Sequence, residues 1–461
     1  MDALQQDVHS LIKQYLPAKN KEKSDLGEVF TPVSMIENMY DHFPSSAFHK
    51  NKTWLDPCTG IGNFMLVLFF KLMTQLRSIS NPHSRAKHII ENMLFMVEIN
   101  PNNVSVCKKI FHKLCPAAKP NIYKGDFLIG LPTSWPNKFS SVVGNPPYNI
   151  GGTGLEGTKR AHIAFTQRAL SISDFVAYIC PPSYRETDTP MNLLFRNGHS
   201  TRRGEDDSLP LAESGHFHYI KIYGPKETFD LFRIQGRVDT FIFQNNTPSK
   251  KTLIHDEYGV EHLVHLDLSR HIPNFGHSIF DKLHNMVLKL GKVEAFRNTE
   301  MSSIKSHSFG CGKHRVLHLI VEQGRRVFKA SKKHSLTDQN KIMLNGLGIP
   351  YVFHDKHGKY GPSQSPVIIL NPSNSLVQLM TSDFFPFIAW GLRLTGNNNL
   401  PYLFDYVPQV TGSLKTLDQI QSAFALTRSE IQFVRDHFAA YSYQDKDILE
   451  PCKTRRTTKK K

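Results

Sequence analysis

A short apolar strand that ends on an acid, turns through two glycines and enters a helix is what most constrains this chain. Thr53-Trp54-Leu55-Asp56 is followed by Pro57-Cys58-Thr59-Gly60-Ile61-Gly62-Asn63, and Phe64 to Leu76 then has helical length and periodicity. The rhythm recurs. Met93–Glu98, Asn121–Asp126, Phe139–Gly144, Phe175–Cys180 and Asp239–Phe243 read as strands with helical stretches between them. Strands alternating with helices predict an α/β, doubly wound parallel sheet covered on both faces. In such sheets ligands bind beyond the carboxyl ends of the strands, which is where Asp56, Glu98 and Asp126 fall.

Domain limits follow from where this rhythm holds. Residues 1–26 read as a short helical arm (Leu4, Val8, Leu11, Ile12, Tyr15) and a charged linker. Residues 27–246 form the α/β domain, interrupted by polar loops at 151–157 and 186–215. Residues 247–450, where the alternation becomes irregular, are expected to be a second, α+β domain. The tail 451–461 is basic and expected to lack fixed structure; its cluster Thr454–Lys461 would suit a nuclear signal or a phosphate-binding extension.

Composition narrows the class. No run of about 18 apolar residues exists, so no membrane span is expected, and Met1–Ser10 has no secretory character. The six cysteines contain no C-x-x-C pair, so no zinc cage or disulfide framework is signalled. A reduced, intracellular setting is expected: cytoplasmic in a prokaryote, nuclear or viral-factory otherwise. His262/His265 and His354/His357 lack further ligands at metal spacing, so no metal is expected. The net charge is +16, and residues 246–461 hold 29 Lys/Arg against 18 Asp/Glu. Between Lys305 and Lys359 the ratio is 11 to 3. Such a stretch is either a solvated basic face or a surface for a phosphate backbone.

The turn after Asp56 has a specific chemistry. Gly60 and Gly62 let the backbone bend sharply and approach a ligand. The third glycine of a dinucleotide site is missing, and an acid stands before the turn. That suits a cationic group, such as a methionyl amino group, better than a pyrophosphate; a plain strand–helix turn is the bland alternative. Glu98 can accept from two ribose hydroxyls. Asp126 can accept from an adenine amino group, with the Phe127 ring against the base. Each acid alone is more often an ordinary surface residue; three at successive strand ends point to one site.

Val142-Val143-Gly144-Asn145-Pro146-Pro147-Tyr148 is the most specific segment. Two prolines fix the backbone and remove two donors. The carbonyls of the Asn145 side chain and of Pro146 are left to accept from a planar amino group. An exocyclic amine is a poor nucleophile because its lone pair is delocalised. Two accepted hydrogen bonds favour sp3 nitrogen, so transfer becomes a matter of positioning and electrostatics, with no strong base. Tyr148 offers a face for a base outside the duplex.

With these motifs the chain resembles the adenine-N6 DNA methyltransferases of the gamma arrangement, in which cofactor motifs precede the Asn-Pro-Pro-Tyr loop and a target-recognition domain closes the chain. Gly27-Glu28-Val29-Phe30-Thr31-Pro32 resembles their first cofactor motif. Asp56 to Phe64 resembles their glycine motif, with Cys58-Thr59 where Ala-Cys is common. Ile179–Ser183 and Val238–Ile242 resemble later strand motifs, and segments within Val367–Leu394 and Leu400–Ile431 resemble the closing region. The resemblance implies a Rossmann-like methyltransferase sheet with S-adenosylmethionine held by Thr31, Pro32, Asp56, Cys58, Gly60, Gly62, Phe64, Glu98, Asp126 and Phe127. It implies catalysis by Asn145, Pro146, Pro147 and Tyr148. The flipped adenine would touch Phe232, with Phe229 as rival and core packing as the alternative for either. Double-stranded DNA is the implied partner, with room for a separate restriction endonuclease. RNA adenine and protein glutamine methyltransferases share the loop, and a catalytically inactive binding subunit is the reading from another class.

Overall fold

The computed structural model describes residues 31–148, 161–197, 215–245, 247, 250–297, 309–394, 401–412 and 414–449. The expected arm at 1–26, the motif residues 27–30, the loop 151–157, most of the second loop and the basic tail lie outside them.

Two compact units divide at Ile272/Pro273. The first is built on a nine-stranded sheet of β1 Trp54–Asp56, β2 Leu94–Glu98, β3 Asn121–Lys124, β4 Phe139–Gly144, β5 Ser173–Cys180, β6 Gly215–Tyr223, β7 Val238–Asn245, β8 Thr252–His255 and β9 Glu261–Val264. Their order is β3-β2-β1-β4-β5-β7-β6-β8-β9. The first five are parallel, with Trp54 opposite both Leu94 and Ser141. The chain winds outward from β1 in one direction and from β4 in the other, so the crevice of a doubly wound sheet opens between them. β7 runs antiparallel to β5 and β6. The sheet is therefore mixed rather than wholly parallel. β6 was not legible as a strand. β8 and β9 carry the sheet past residue 246, where the rhythm of the sequence fades.

Period-two burial explains why both faces are covered. Trp54, Leu94, Met96, Ala177, Ile179 and Ile242 enter one core; Leu55, Phe95, Val97, Val176, Tyr178 and Phe241 enter the other. Helices α1 Val33–Asp41, α2 Asn63–Gln75, α3 Pro82–His88 and α4 Pro101–Leu114 accompany the first half of the sheet, with α1, α2 and α4 packing into the first core. α5 Ala161–Ile172 and α6 Pro190–Asn197 cover the second face, and α7 Pro225–Phe232 lies between β6 and β7 in sequence. Side chains of Asn81 and Asn100 cap α3 and α4, each followed by a proline suited to the first turn.

The second unit is α+β. Helix α8 His277–Leu290 precedes β10 Phe296–Arg297, β11 Phe309–Val321, β12 Gly324–Ala330, β13 Lys341–Asn345, β14 Val352–Asp355, β15 Gly361–Pro362, β16 Pro366–Leu370 and, near the end, β17 Asp447–Leu449. They form two four-stranded sheets. Helices α9 Asn374–Thr381, α10 Phe384–Gly391, α11 Leu417–Ala423 and α12 Arg428–His437 contribute to its core. α11 and α12 both begin on capping boxes, Thr416/Gln419 and Thr427/Glu430. No helix among the described residues is long and apolar enough to cross a membrane.

Candidate active site

The site assembles at the carboxyl ends of β1, β2, β3 and β4. β1 delivers Asp56, which is buried. Its Oδ1 accepts from the Cys58 amide at 3.1 Å. Its Oδ2 is buried and makes no well-formed hydrogen bond, although the Thr59 hydroxyl lies near enough to favour the charged form. Burial, with the Glu98 charge adding to it, pushes the Asp56 carboxyl up to about 7. A buried acid lacking a firm partner for one oxygen suits a cationic ligand group.

The glycine turn is held by the next strand. The Gly60 amide donates to Glu98 Oε2 at 2.7 Å, and the Asn100 amide donates to Glu98 Oε1 at 2.7 Å. Glu98 thus braces the turn. A carboxylate has about four acceptor positions, so bracing and ligand binding are compatible. Gly62 lies at φ +98°, and a Cβ there would meet Cys107 Sγ at 3.0 Å and Phe111 at 3.1 Å. Phe64 is buried in the first turn of α2, where its carbonyl accepts from the Tyr40 hydroxyl at 3.1 Å.

Asn145 directly follows β4 beside this turn. Its backbone carbonyl accepts from the Cys58 thiol at 3.4 Å, and its side-chain Nδ2 donates to Thr31 Oγ1 at 3.2 Å. Asn145 Oδ1 is buried with no hydrogen-bond partner. Thr31 is buried, and Pro32 starts α1, its carbonyl accepting from the Met35 amide. Burial, followed by the Asp56 and Glu98 charges, raises the Cys58 thiol. Pro146 is buried, Pro147 half-buried. Tyr148 is half-buried against both cores of the first unit; burial raises its phenol.

Asp126 follows β3 and caps its own turn, Oδ1 accepting from the Leu128 amide at 2.8 Å. Phe127 is placed differently from expectation. It is 1% exposed, its ring packed near Phe165 and under the Arg168 guanidinium. It braces the turn and offers no open face. Phe232 is likewise enclosed at 3% exposure in the first core, because it falls on the inner side of α7. It presents no face to a base in this arrangement. Its rival Phe229 is 45% exposed, with Arg233 over the ring.

Two residues carry weight that sequence reasoning missed. Ile99, directly after Glu98, is 62% exposed at the carboxyl edge. Its signal was an apolar residue between an acid and the polar Asn100-Pro101-Asn102. Gly144 precedes Asn145, and a Cβ there would stand 2.9 Å from Asp56 Oδ1. Only a glycine lets β4 lie so close to that carboxylate.

His262 bonds Asp256 at 2.8 Å and His354 bonds Asn340 at 2.8 Å. Among the described residues no group of three or more His, Cys, Asp or Glu could hold a metal ion. In the basic stretch, Lys341 and Arg325 are buried in ion pairs with Asp355 and with Asp445 and Asp447. Their charge is structural. Lys313, Arg326, Lys329, Lys332 and Lys356 remain exposed.

The strand order and the reversed β7 define a Rossmann-like, doubly wound fold in the first unit, with acids at its strand ends. Residues 5–172 match the family model described as N-6 DNA Methylase. That segment includes Thr31 to Tyr148 and is less than half of the chain. No curated protein matches significantly. Solved structures similar to the chain include a modification subunit ascribed to a type I restriction enzyme from Vibrio vulnificus YJ016, at 17% identity and TM-score 0.37, covering 54% of this chain and 52% of that one. The M protein of the type I restriction enzyme EcoKI aligns at 19% identity and TM-score 0.35, over 49% of this chain and 48% of that one. The type IIL restriction-modification enzyme MmeI, in complex with DNA, aligns at 10% identity and TM-score 0.46, over 93% of this chain and 75% of that one. The chain thus spans about half the length of the first two.

Proposed function

We propose that this chain transfers a methyl group from S-adenosylmethionine to the N6 amino group of an adenine in double-stranded DNA. The observation that carries the reading is the Asn145 side chain: its nitrogen donates to Thr31 while its buried oxygen has no partner. A buried acceptor without a donor costs free energy unless a ligand completes it. The N6 amino group supplies two donors, one for Asn145 Oδ1 and one for the Pro146 carbonyl. Accepting both localises the nitrogen lone pair, and the Pro146-Pro147 backbone holds the acceptors rigidly.

The residues present fit the cofactor. Asp56, buried and with its carboxyl pushed up to about 7, would take its ammonium group in the ionised form; Glu98 would take ribose hydroxyls; Asp126 and the exposed face of Ile99 would take its adenine. When bound, S-adenosylmethionine supplies an electrophilic methyl on a sulfonium. Tyr148 stacks the target base, which must leave the duplex to reach the loop. The exposed cations of the second unit suit phosphates. A separate restriction endonuclease as partner rests on the motif resemblance.

The test is incubation of the full chain with labelled S-adenosylmethionine and unmethylated duplex DNA, followed by nucleoside analysis. N6-methyladenine is expected. Label appearing in RNA or in a glutamine-containing protein substrate, with DNA untouched, overturns the DNA assignment.

A further inference from the structure

We infer that His162 is a positioning residue for the Asn-Pro-Pro-Tyr loop, orienting Tyr148 through its backbone carbonyl. The inference rests on the methyltransferase reading above. His162 lies in the first turn of α5, buried at 4% exposure. Its Nδ1 stands 3.1 Å from the Tyr148 carbonyl oxygen. A carbonyl can only accept, so Nδ1 carries the proton. Nε2 lies 3.5 Å from the Ser183 hydroxyl. The Tyr148 contact places a proton on Nδ1, while Ser183 can either donate to Nε2 or accept from it. The imidazole also meets the Tyr148 ring edge-on, with centroids 6.3 Å apart and planes at 81°.

The placement gives this bond a particular use. Asn145, at the start of the loop, is held by Thr31 and Cys58. Its end is held by His162, fourteen residues further along the chain. Ser183 is itself set in a short turn, Pro182–Arg185, whose Tyr184 and Arg185 side chains bond the buried Asp239 carboxylate at 2.8 and 2.7 Å. A line of contacts therefore runs from β7 through Ser183 and His162 to Tyr148. The acceptors on Asn145 and Pro146 and the stacking ring on Tyr148 must address one base together. A small displacement of the loop's end degrades all of them, and misplacement by about 1 Å costs on the order of 10²-fold in rate.

The experiment compares His162→Asn, which keeps a donor near the Nδ1 position, with His162→Gln, which moves it towards Nε2, and with His162→Ala. Turnover on duplex DNA, S-adenosylmethionine affinity and fluorescence of 2-aminopurine at the target position are measured for each. Expected are a fall in kcat on the order of 10²-fold for Gln and Ala, recovery by Asn to within about threefold, and cofactor affinity unchanged in all three. Gln as active as wild type, or kcat and cofactor affinity falling in parallel, would overturn the inference. Nitrogen-15 NMR of labelled histidine provides a readout that needs no substrate: the resonances lost in His162→Asn should show a protonated Nδ1, and an Nδ1 without a proton overturns the inference. Absence of methylation by the wild-type chain, with Nδ1 protonated, would instead count against the DNA reading.

Discussion

A buried ion pair of the second unit and the strand-end acceptors of the first are completed to very different degrees. In the second, Lys341 is fully buried and donates to Asp355 Oδ2 at 2.8 Å and to the Gln339 carbonyl at 3.0 Å. Asp355 also accepts from the amides of Lys359 and Tyr360 at 2.8 and 2.9 Å. In the first, Asp56 Oδ2 and Asn145 Oδ1 are buried without a well-formed hydrogen bond. Burying a polar atom without a partner costs free energy. The Lys341–Asp355 pair is complete within the fold, whereas Asp56 Oδ2 and Asn145 Oδ1, both at the sheet's carboxyl edge, leave room for a ligand's donors.

The comparison breaks most visibly at Lys341. Lys341→Met leaves Asp355 charged and buried without its counter-ion, and should cost about 3–5 kcal/mol in the denaturant unfolding transition of the second unit. A cost under about 1 kcal/mol would show that the pair is not structural. Asn145→Ala should do the reverse. It removes an incomplete acceptor but also the hydrogen bond to Thr31, and these oppose each other, so stability should change little. Turnover on DNA should fall by about 10²–10³-fold, or ~2.7–4 kcal/mol, with cofactor affinity retained. An Asn145→Ala protein that unfolds more easily yet still methylates would invert the assignment.

Tyr148→Ala sharpens the contrast within the loop. Loss of stacking should cost about 1–3 kcal/mol, read as weaker 2-aminopurine quenching and slower transfer at subsaturating DNA. An unchanged response would remove the ring from the site.

The first unit was more legible in the sequence than the second, for a physical reason. Strands buried on both faces read as apolar runs, and acids closing such runs stand out; Asp56, Glu98 and Asp126 were visible in this way. β6, Gly215–Tyr223, was not, because His216, His218 and Lys221 break its apolar run and a register shift interrupts its pairing between Phe217 and Tyr219. The enclosure of Phe127 and Phe232 depends on which neighbours cover a ring, and spacing carries no information about that. Nor does spacing show that Gly144 clears room for a carboxylate three strands earlier in the chain order of its contacts, or that Arg325 and Lys341, read as part of a phosphate-facing stretch, are spent on internal acids. Net charge counts every cation alike; only partners separate the structural ones from the exposed ones.

Asp56 offers the finest discrimination, through pH. Its carboxyl is raised in the ligand-free fold to about 7, from an ordinary value of 3.8. The folded chain therefore keeps a proton that the unfolded chain sheds earlier. This group's contribution makes stability fall as pH rises from about 4 to about 7 and leaves it level above. Asp56→Asn should remove that slope, so the stability difference between wild type and variant should change across this window alone. Affinity for S-adenosylmethionine should move the other way. A cationic group is held by the ionised form, so affinity should rise about tenfold, or ~1.4 kcal/mol, per pH unit below 7 and level off above it. In Asp56→Asn this dependence should vanish along with most of the affinity. Titration of cofactor binding between about pH 5.5 and 8.5 checks both arms. A flat wild-type profile would mean that Asp56 braces the glycine turn through the Cys58 amide and does not hold the ammonium, placing it with structural carboxylates such as Asp355.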